Sequence, residues 1–229
     1  MKKGGIPVKN LRTRSLLALL CDLAAVILVV VSEVSFYLFG AEGNMFGAGP
    51  RSFRYFTIDS NILAALAVLP AMVYAAKTLR GGETSRPGWV TVLKFVGTAA
   101  VMLTFAVVMV FLGPLCGYGP MLDGHCLELH LICPILFAVS FCLLEPGQLS
   151  RRAALCGLIP TAVYGVVYAV MVVGTGGWPD FYFFNRNGLW PLTFVIVLLG
   201  SAAVCFLLRR LHNACDRRAA REKTSDKTI

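Results

Sequence analysis

Two apolar runs in this chain, Ile62 to Ala76 and Leu131 to Leu144, are too short to cross a bilayer alone. A helix rising about 1.5 Å per residue needs about 20 residues to span about 30 Å of hydrocarbon. Each run reaches that length only if the polar block ahead of it is drawn into the membrane. Those blocks are Thr57-Ile58-Asp59-Ser60-Asn61 and the pair Glu128 and His130. Reading every apolar window the same way predicts spans over Leu16 to Leu38, Tyr55 to Ala76, Val90 to Phe111, Leu127 to Leu144, Ala153 to Val173 and Leu189 to Leu208. Short connections make these an all-α, six-helix transmembrane bundle. The expected organisation is one membrane domain over 1–208, opening with a short basic segment, and a mobile basic tail over 209–229.

Composition agrees with that pattern. With 57% hydrophobic and 14% charged residues and a mean hydropathy of +0.74, the chain is far too apolar for a soluble domain of its length. The first apolar stretch resembles a secretory leader only superficially. It is too long, Asp22 and Glu33 interrupt it, and no small-residue cleavage site follows, so it is expected to be a retained span.

The net charge of +9 raises the question of nucleic acid, and the placement of the basic residues answers it. Lys2, Lys3, Lys9, Arg12 and Arg14 precede span one; Lys77, Arg80 and Arg86 follow span two; Arg151 and Arg152 precede span five; the rest of this group begins at Arg209. All lie on one side if the spans alternate, whereas the other side holds Arg51, Arg54 and Arg186. The positive-inside rule therefore predicts that both termini are cytoplasmic. The charge reports topology and proximity to anionic lipid, not a nucleic-acid partner.

Cys21, Cys133, Cys142, Cys156 and Cys205 fall within spans, where a thiol is an ordinary packing group. Cys116 and Cys126 flank the outer connection between spans three and four, where an oxidising compartment would permit a disulfide. No CxxC or other metal-ligand spacing is present, and no metal or cofactor is expected.

An ionisable or hydrogen-bonding group in hydrocarbon is costly, which makes the two polar helix heads a site hypothesis. Alternating topology puts Thr57 and His130 at similar depth in the outer leaflet. Thr57, Ser60 and Asn61 share a helix face through i+3 and i+4 spacing, while Asp59 points nearly the opposite way. A hydroxyl nucleophile needs a base within hydrogen-bond reach and donors that stabilise an oxyanion. Thr57 and His130 are the candidate pair, Asn61 and Ser60 the candidate donors or supports. Glu33, and more weakly Asp59, are candidates to orient the imidazole. Arg51 and Arg54 are candidates to hold a substrate carboxylate.

Each residue also has a plainer reading. A threonine at a helix head commonly caps or bonds back to its own helix, and a lone intramembrane histidine commonly ties two helices together. Asp22 and Glu33 could pair with polar groups of neighbouring spans. Tyr164 and Tyr168 fit core or interfacial anchors, and Lys94 is expected to snorkel to the cytoplasmic interface.

The run Phe53-Arg54-Tyr55-Phe56-Thr57-Ile58-Asp59-Ser60-Asn61, then His130 with Pro134, Tyr164 with Tyr168, and Trp178-Pro179-Asp180-Phe181-Tyr182, resembles in order and spacing the androgen-induced protein family. That family includes the androgen-dependent TFPI-regulating protein and bacterial six-pass relatives. The resemblance implies a multi-pass plasma-membrane hydrolase of bacterial type, with Thr57 as nucleophile and His130 beside it. Animal members cleave fatty acid esters of hydroxy fatty acids, so the implied partners are a lipid substrate and bilayer lipids. Animal members carry more than one histidine in this region; here His130 is the one within a span, and His125 is expected in the outer loop.

Two other functions are open at this stage. One is a small-solute or proton-coupled transporter with a relay through Asp22, Glu33, Asp59 and His130, against which the cytoplasmic half looks nearly bare beyond Asp22. The other is a non-catalytic lipid-binding protein.

Overall fold

The computed structural model describes residues 8–40, 49–81 and 86–225. Lys2 and Lys3 of the basic leader, and Asp226 to Ile229 of the tail, lie outside the described residues. The described chain is helical throughout its regular structure, with six helices long and apolar enough to cross a membrane.

The helix of span one runs Val8–Phe39 and that of span two Phe56–Leu79. Span three is Gly88–Cys116, span four Gly124–Leu144 and span five Arg151–Gly174. The helix of span six runs Trp190–Ser225. The polar blocks 57–61 and 128–130 both lie inside their spanning helices. Because there are six spans, the two ends of the described chain share one side of the bundle. Thr57 and His130 lie toward the other.

The outward faces carry exposed apolar side chains such as Leu20, Leu66, Val110 and Leu199. That much apolar surface suits lipid as the surrounding solvent. Between helices in lipid there is no hydrophobic driving force, so close approach of small residues must supply the packing. Gly97 of span three meets that need: a Cβ there would sit 2.7 Å from the Ala64 Cα and 2.9 Å from the Ala67 Cβ of span two. Around this contact the inner layer consists of Ala25, Val29, Ala64, Val68, Val101 and Phe137.

Spans three, four and five are not uniform α-helices. Wider π turns occupy Val108–Leu112, Glu128–Ile132, Ser140–Leu144 and Val170–Gly174. A π turn bonds i to i+5 and so rotates the side chains that follow it relative to an α register. His130 and Ser140 both stand on such turns.

The helix of span six continues past Leu208 to Ser225, and residues beyond 208 are tied to the chain at and after the end of span four. Arg209 Nε donates to the Leu149 carbonyl at 2.9 Å, Gln148 Nε2 to Asp216 Oδ2 at 2.8 Å, and the Leu149 amide to Asn213 Oδ1 at 2.8 Å. Buried His212 presents its two ring nitrogens to the carbonyls of Phe141 and Gly147, at 3.0 and 2.6 Å. Cys116 and Cys126 are separate thiols, the first exposed and the second buried at the head of span four. Lys94 does not snorkel but is enclosed at 1% exposure, because two carboxylates meet it inside the bundle.

Candidate active site

The outer end of the bundle brings the two polar helix heads into contact. Thr57 Oγ1 lies 3.2 Å from His130 Nε2, both side chains buried. The other ring nitrogen, Nδ1, is 2.7 Å from the backbone carbonyl of Met121. A carbonyl can only accept, so in a neutral ring Nδ1 carries the proton and Nε2 offers a lone pair. Thr57 then donates its hydroxyl proton to Nε2. This is the tautomer a general base requires.

The plainer reading of Thr57 can be tested against its neighbours. Thr78, Thr98 and Thr193 each donate to the carbonyl four residues back along the chain. Thr57 instead directs its hydroxyl at the imidazole of another span. His130 can reach it because the π turn at Glu128–Ile132 turns His130 toward span two, while Glu128 faces span one. There Glu128 Oε2 accepts from Ser32 Oγ and from His125 Nδ1, the latter at 2.8 Å. His125 belongs to the first turn of span four, not to the preceding loop.

Asn61 and Ser60 stand behind the pair as supports. Asn61 Nδ2 donates to the Thr57 carbonyl at 2.8 Å and to the Leu129 carbonyl at 3.2 Å. Its two N–H groups are thereby engaged, so Asn61 cross-links the helices behind Thr57 and His130 rather than facing an oxyanion. Ser60 Oγ is 3.1 Å from the Thr57 carbonyl and 2.9 Å from Thr104 Oγ1. At Nδ1 of His130 the orienting acceptor is the Met121 carbonyl, not Glu33 or Asp59. The turn Tyr118–Met121, packed under the start of span four, delivers it. Glu33 is half-buried with Oε1 lacking a hydrogen-bond partner among the described residues.

Arg51 and Arg54 stand on the short helix Gly49–Arg54 just before span two, Arg51 exposed and Arg54 half-buried. Tyr164 donates to the Arg54 carbonyl at 2.6 Å. Tyr168 is a core residue, 2% exposed, whose hydroxyl donates to Asp180 at 3.1 Å. Asp180 also accepts from the amides of Phe184 and Asn185, both at 2.8 Å. This ties the loop after span five into a compact aromatic cap. From that cap the Tyr182 hydroxyl accepts from the Phe56 amide at 3.0 Å, satisfying a first-turn donor of span two. Burial raises the Tyr182 phenol above its ordinary value, which keeps it neutral in that role.

An apolar cavity of about 450 Å³ opens beside this cluster between spans two, three and five. Asp59 and Ser60 are on its wall with Phe56, Leu63, Val163 and Tyr164; Thr57 and His130 are not. Asp59 thus stands against the cavity. Among the described residues no group of three or more His, Cys, Asp or Glu side chains could hold a metal ion.

Met121, Tyr182 and Thr104 went unread in the sequence. A backbone carbonyl leaves no residue signature, and Thr104 lies inside an apolar run. Tyr182 was visible as part of an aromatic block, without its partner.

The other half of the bundle is not bare. Lys94 Nζ lies 2.6 Å from Asp22 Oδ2, 2.7 Å from Ser140 Oγ and 3.4 Å from Glu145 Oε2. Arg86 pairs with Glu145 from the other side. Asp22 to Glu33 on span one, and His130 to Ser140 on span four, bracket the apolar layer that separates the two clusters. At about 1.5 Å per residue the layer is about 15 Å deep.

The fold and composition define a multi-pass helical membrane protein. Set against models of protein families, curated proteins and solved structures, the chain matches none.

Proposed function

We propose that this protein is an intramembrane threonine hydrolase that cleaves carboxylic ester bonds of lipids, in the manner of the androgen-induced protein family it resembles. The observation that carries the reading is the Thr57 hydroxyl held 3.2 Å from an imidazole nitrogen whose opposite nitrogen is fixed by a carbonyl. The basic side, with both termini, is cytoplasmic, and the Thr57 end faces the outer leaflet of a bacterial plasma membrane.

A lipid ester enters laterally, its acyl chain occupying the apolar cavity along Phe56, Leu63 and Val163. Ser60, on the cavity wall, is one helical turn from Thr57, so the ester carbonyl moves about 5 Å further to meet the nucleophile. Arg51 and Arg54 lie at the entry, where they receive a substrate carboxylate. Thr57 Oγ forms a bond to the carbonyl carbon as its proton passes to His130 Nε2. The carbonyl of Met121 stabilises the resulting imidazolium through Nδ1. Collapse expels the alcohol oxygen, which takes the proton from His130 and leaves an acyl-threonine. Water, deprotonated by His130, then attacks the acyl carbon and releases the carboxylate, regenerating Thr57. No step uses a cofactor.

The transport reading gains polar groups from the Lys94 cluster but not a path. The apolar layer of Ala25, Val29, Ala64, Val68, Val101 and Phe137 lies between the two polar regions. Fatty acid release from an ester of a hydroxy fatty acid by purified protein in detergent, without any gradient, tests the enzyme reading. Release by the native protein and not by Thr57→Ala supports it. Equal rates overturn it.

A further inference from the structure

The Lys94 cluster lines a second cavity, of about 200 Å³, at the end of the bundle where Arg14 meets the close of span four. Ser15, Asp22, Tyr74 and Thr78 contribute to its wall together with Arg86, Lys94 and Glu145. Arg14 reaches the same end, donating from Nη2 to the carbonyls of Leu143 and Glu145 at 3.1 and 3.3 Å.

The hydrogen bonds of this cluster do not close. The Lys94 ammonium, with three donors, has three partners in Asp22, Ser140 and Glu145. Glu145 accepts from Lys94, Arg86 and Thr91. What remain are buried Arg86 Nε and Nη2, Arg14 Nη1 and Asp22 Oδ1, none with a hydrogen-bond partner among the described residues. Nε and Nη2 of one guanidinium point the same way and form the fork that receives two oxygens of a carboxylate or phosphate. Among the described residues three cations, Arg14, Arg86 and Lys94, stand against two carboxylates, Asp22 and Glu145, an excess of one positive charge. Buried donors and acceptors in this state are costly unless a further group completes them.

We propose that this cavity is a binding site for a phosphate-type oxyanion, with the Arg86 fork as its principal anchor. A singly protonated phosphate fits both deficits: its bare oxygens accept from the Arg86 fork, with the Arg14 charge close behind the wall, and its hydroxyl donates to Asp22. The same chemistry is offered by free inorganic phosphate and by the phosphomonoester headgroup of phosphatidic acid. The site lies across the apolar layer from Thr57 and does not depend on the hydrolase reading.

The test is thermal unfolding of the full chain in phosphatidylcholine nanodiscs, with saturating inorganic phosphate or with chloride at equal ionic strength. A second arm uses nanodiscs containing phosphatidic acid in buffer free of inorganic phosphate. The expected result is a rise of about 5 °C or more in at least one arm, lost in Arg86→Gln and retained in Thr57→Ala. A rise with inorganic phosphate identifies the soluble ion as a sufficient ligand; a rise with phosphatidic acid alone identifies the headgroup. No rise in either arm for the native protein overturns the proposal, as does an equal rise in Arg86→Gln. Because Arg86 also pairs with Glu145, Arg14→Gln and direct binding of radiolabelled phosphate to native protein provide readings that do not depend on the folding of Arg86→Gln. Binding that is absent, or unchanged in Arg14→Gln and Arg86→Gln alike, overturns it equally.

Discussion

The two polar clusters of this bundle solve the same problem, polar groups inside hydrocarbon, in opposite ways. Around Thr57 and His130 the hydrogen-bonding groups are mainly uncharged, and several are anchored to backbone: Asn61 to two carbonyls, Ser60 to one, His130 to Met121. Around Lys94 the groups are formal charges held by one another. Neutral groups fixed to backbone hold one geometry at modest cost, which suits a hydroxyl poised against a base. Charges held by charges carry a large desolvation penalty and stay tied to their partners, which suits binding and positioning.

If that contrast is right, substitutions at the two ends should separate activity from stability. The largest expected effect is on turnover: Thr57→Ala and His130→Asn should each lower lipid ester hydrolysis by about a thousandfold or more. Their unfolding temperatures should stay near that of the native protein. Next, Lys94→Met should destabilise the fold by about 3–5 kcal/mol, because Asp22 and Glu145 lose their common cation in a buried site. Denaturation in detergent would measure it, and adding Asp22→Asn should recover part of the loss. Gly97→Val should cost about 1–3 kcal/mol by forcing spans two and three apart at Ala64. Since Ala64 lies two turns from Thr57, it should also slow hydrolysis. The smallest effect is expected at Asn61→Ala, about 1 kcal/mol in stability from two lost bonds to carbonyls. A loss of hydrolysis at Asn61 as large as that at Thr57 would blur the distinction between the reacting pair and its frame.

The two clusters were not equally legible in the sequence. Thr57 and His130 stood out because each heads an apolar run too short to span, so membrane length alone pulled them inside. Their matching depth followed from alternating topology. What holds them was hidden: the Met121 carbonyl has no side-chain signal, and the π turn that aims His130 is invisible to a count by 3.6. The Lys94 cluster was misread for a different reason. Lys94 and Glu145 sit within a few residues of span ends, where a charge ordinarily reaches water. Only the packing of four segments shows that Asp22, Ser140 and Glu145 meet Lys94 before water does. Hydropathy ends at Leu208 while the helix, held by His212 and Asn213, continues, so its length was not legible either.

The central claim is that Thr57 is an activated nucleophile and His130 the group that activates it. Labelling of the purified protein with a lipid-like fluorophosphonate, with the adduct mapped by mass spectrometry, tests this most directly. The account predicts an adduct on Thr57 in the native protein and none at that position in Thr57→Ala or His130→Ala. No adduct on Thr57 in well-folded native protein, or undiminished labelling in His130→Ala, would contradict it.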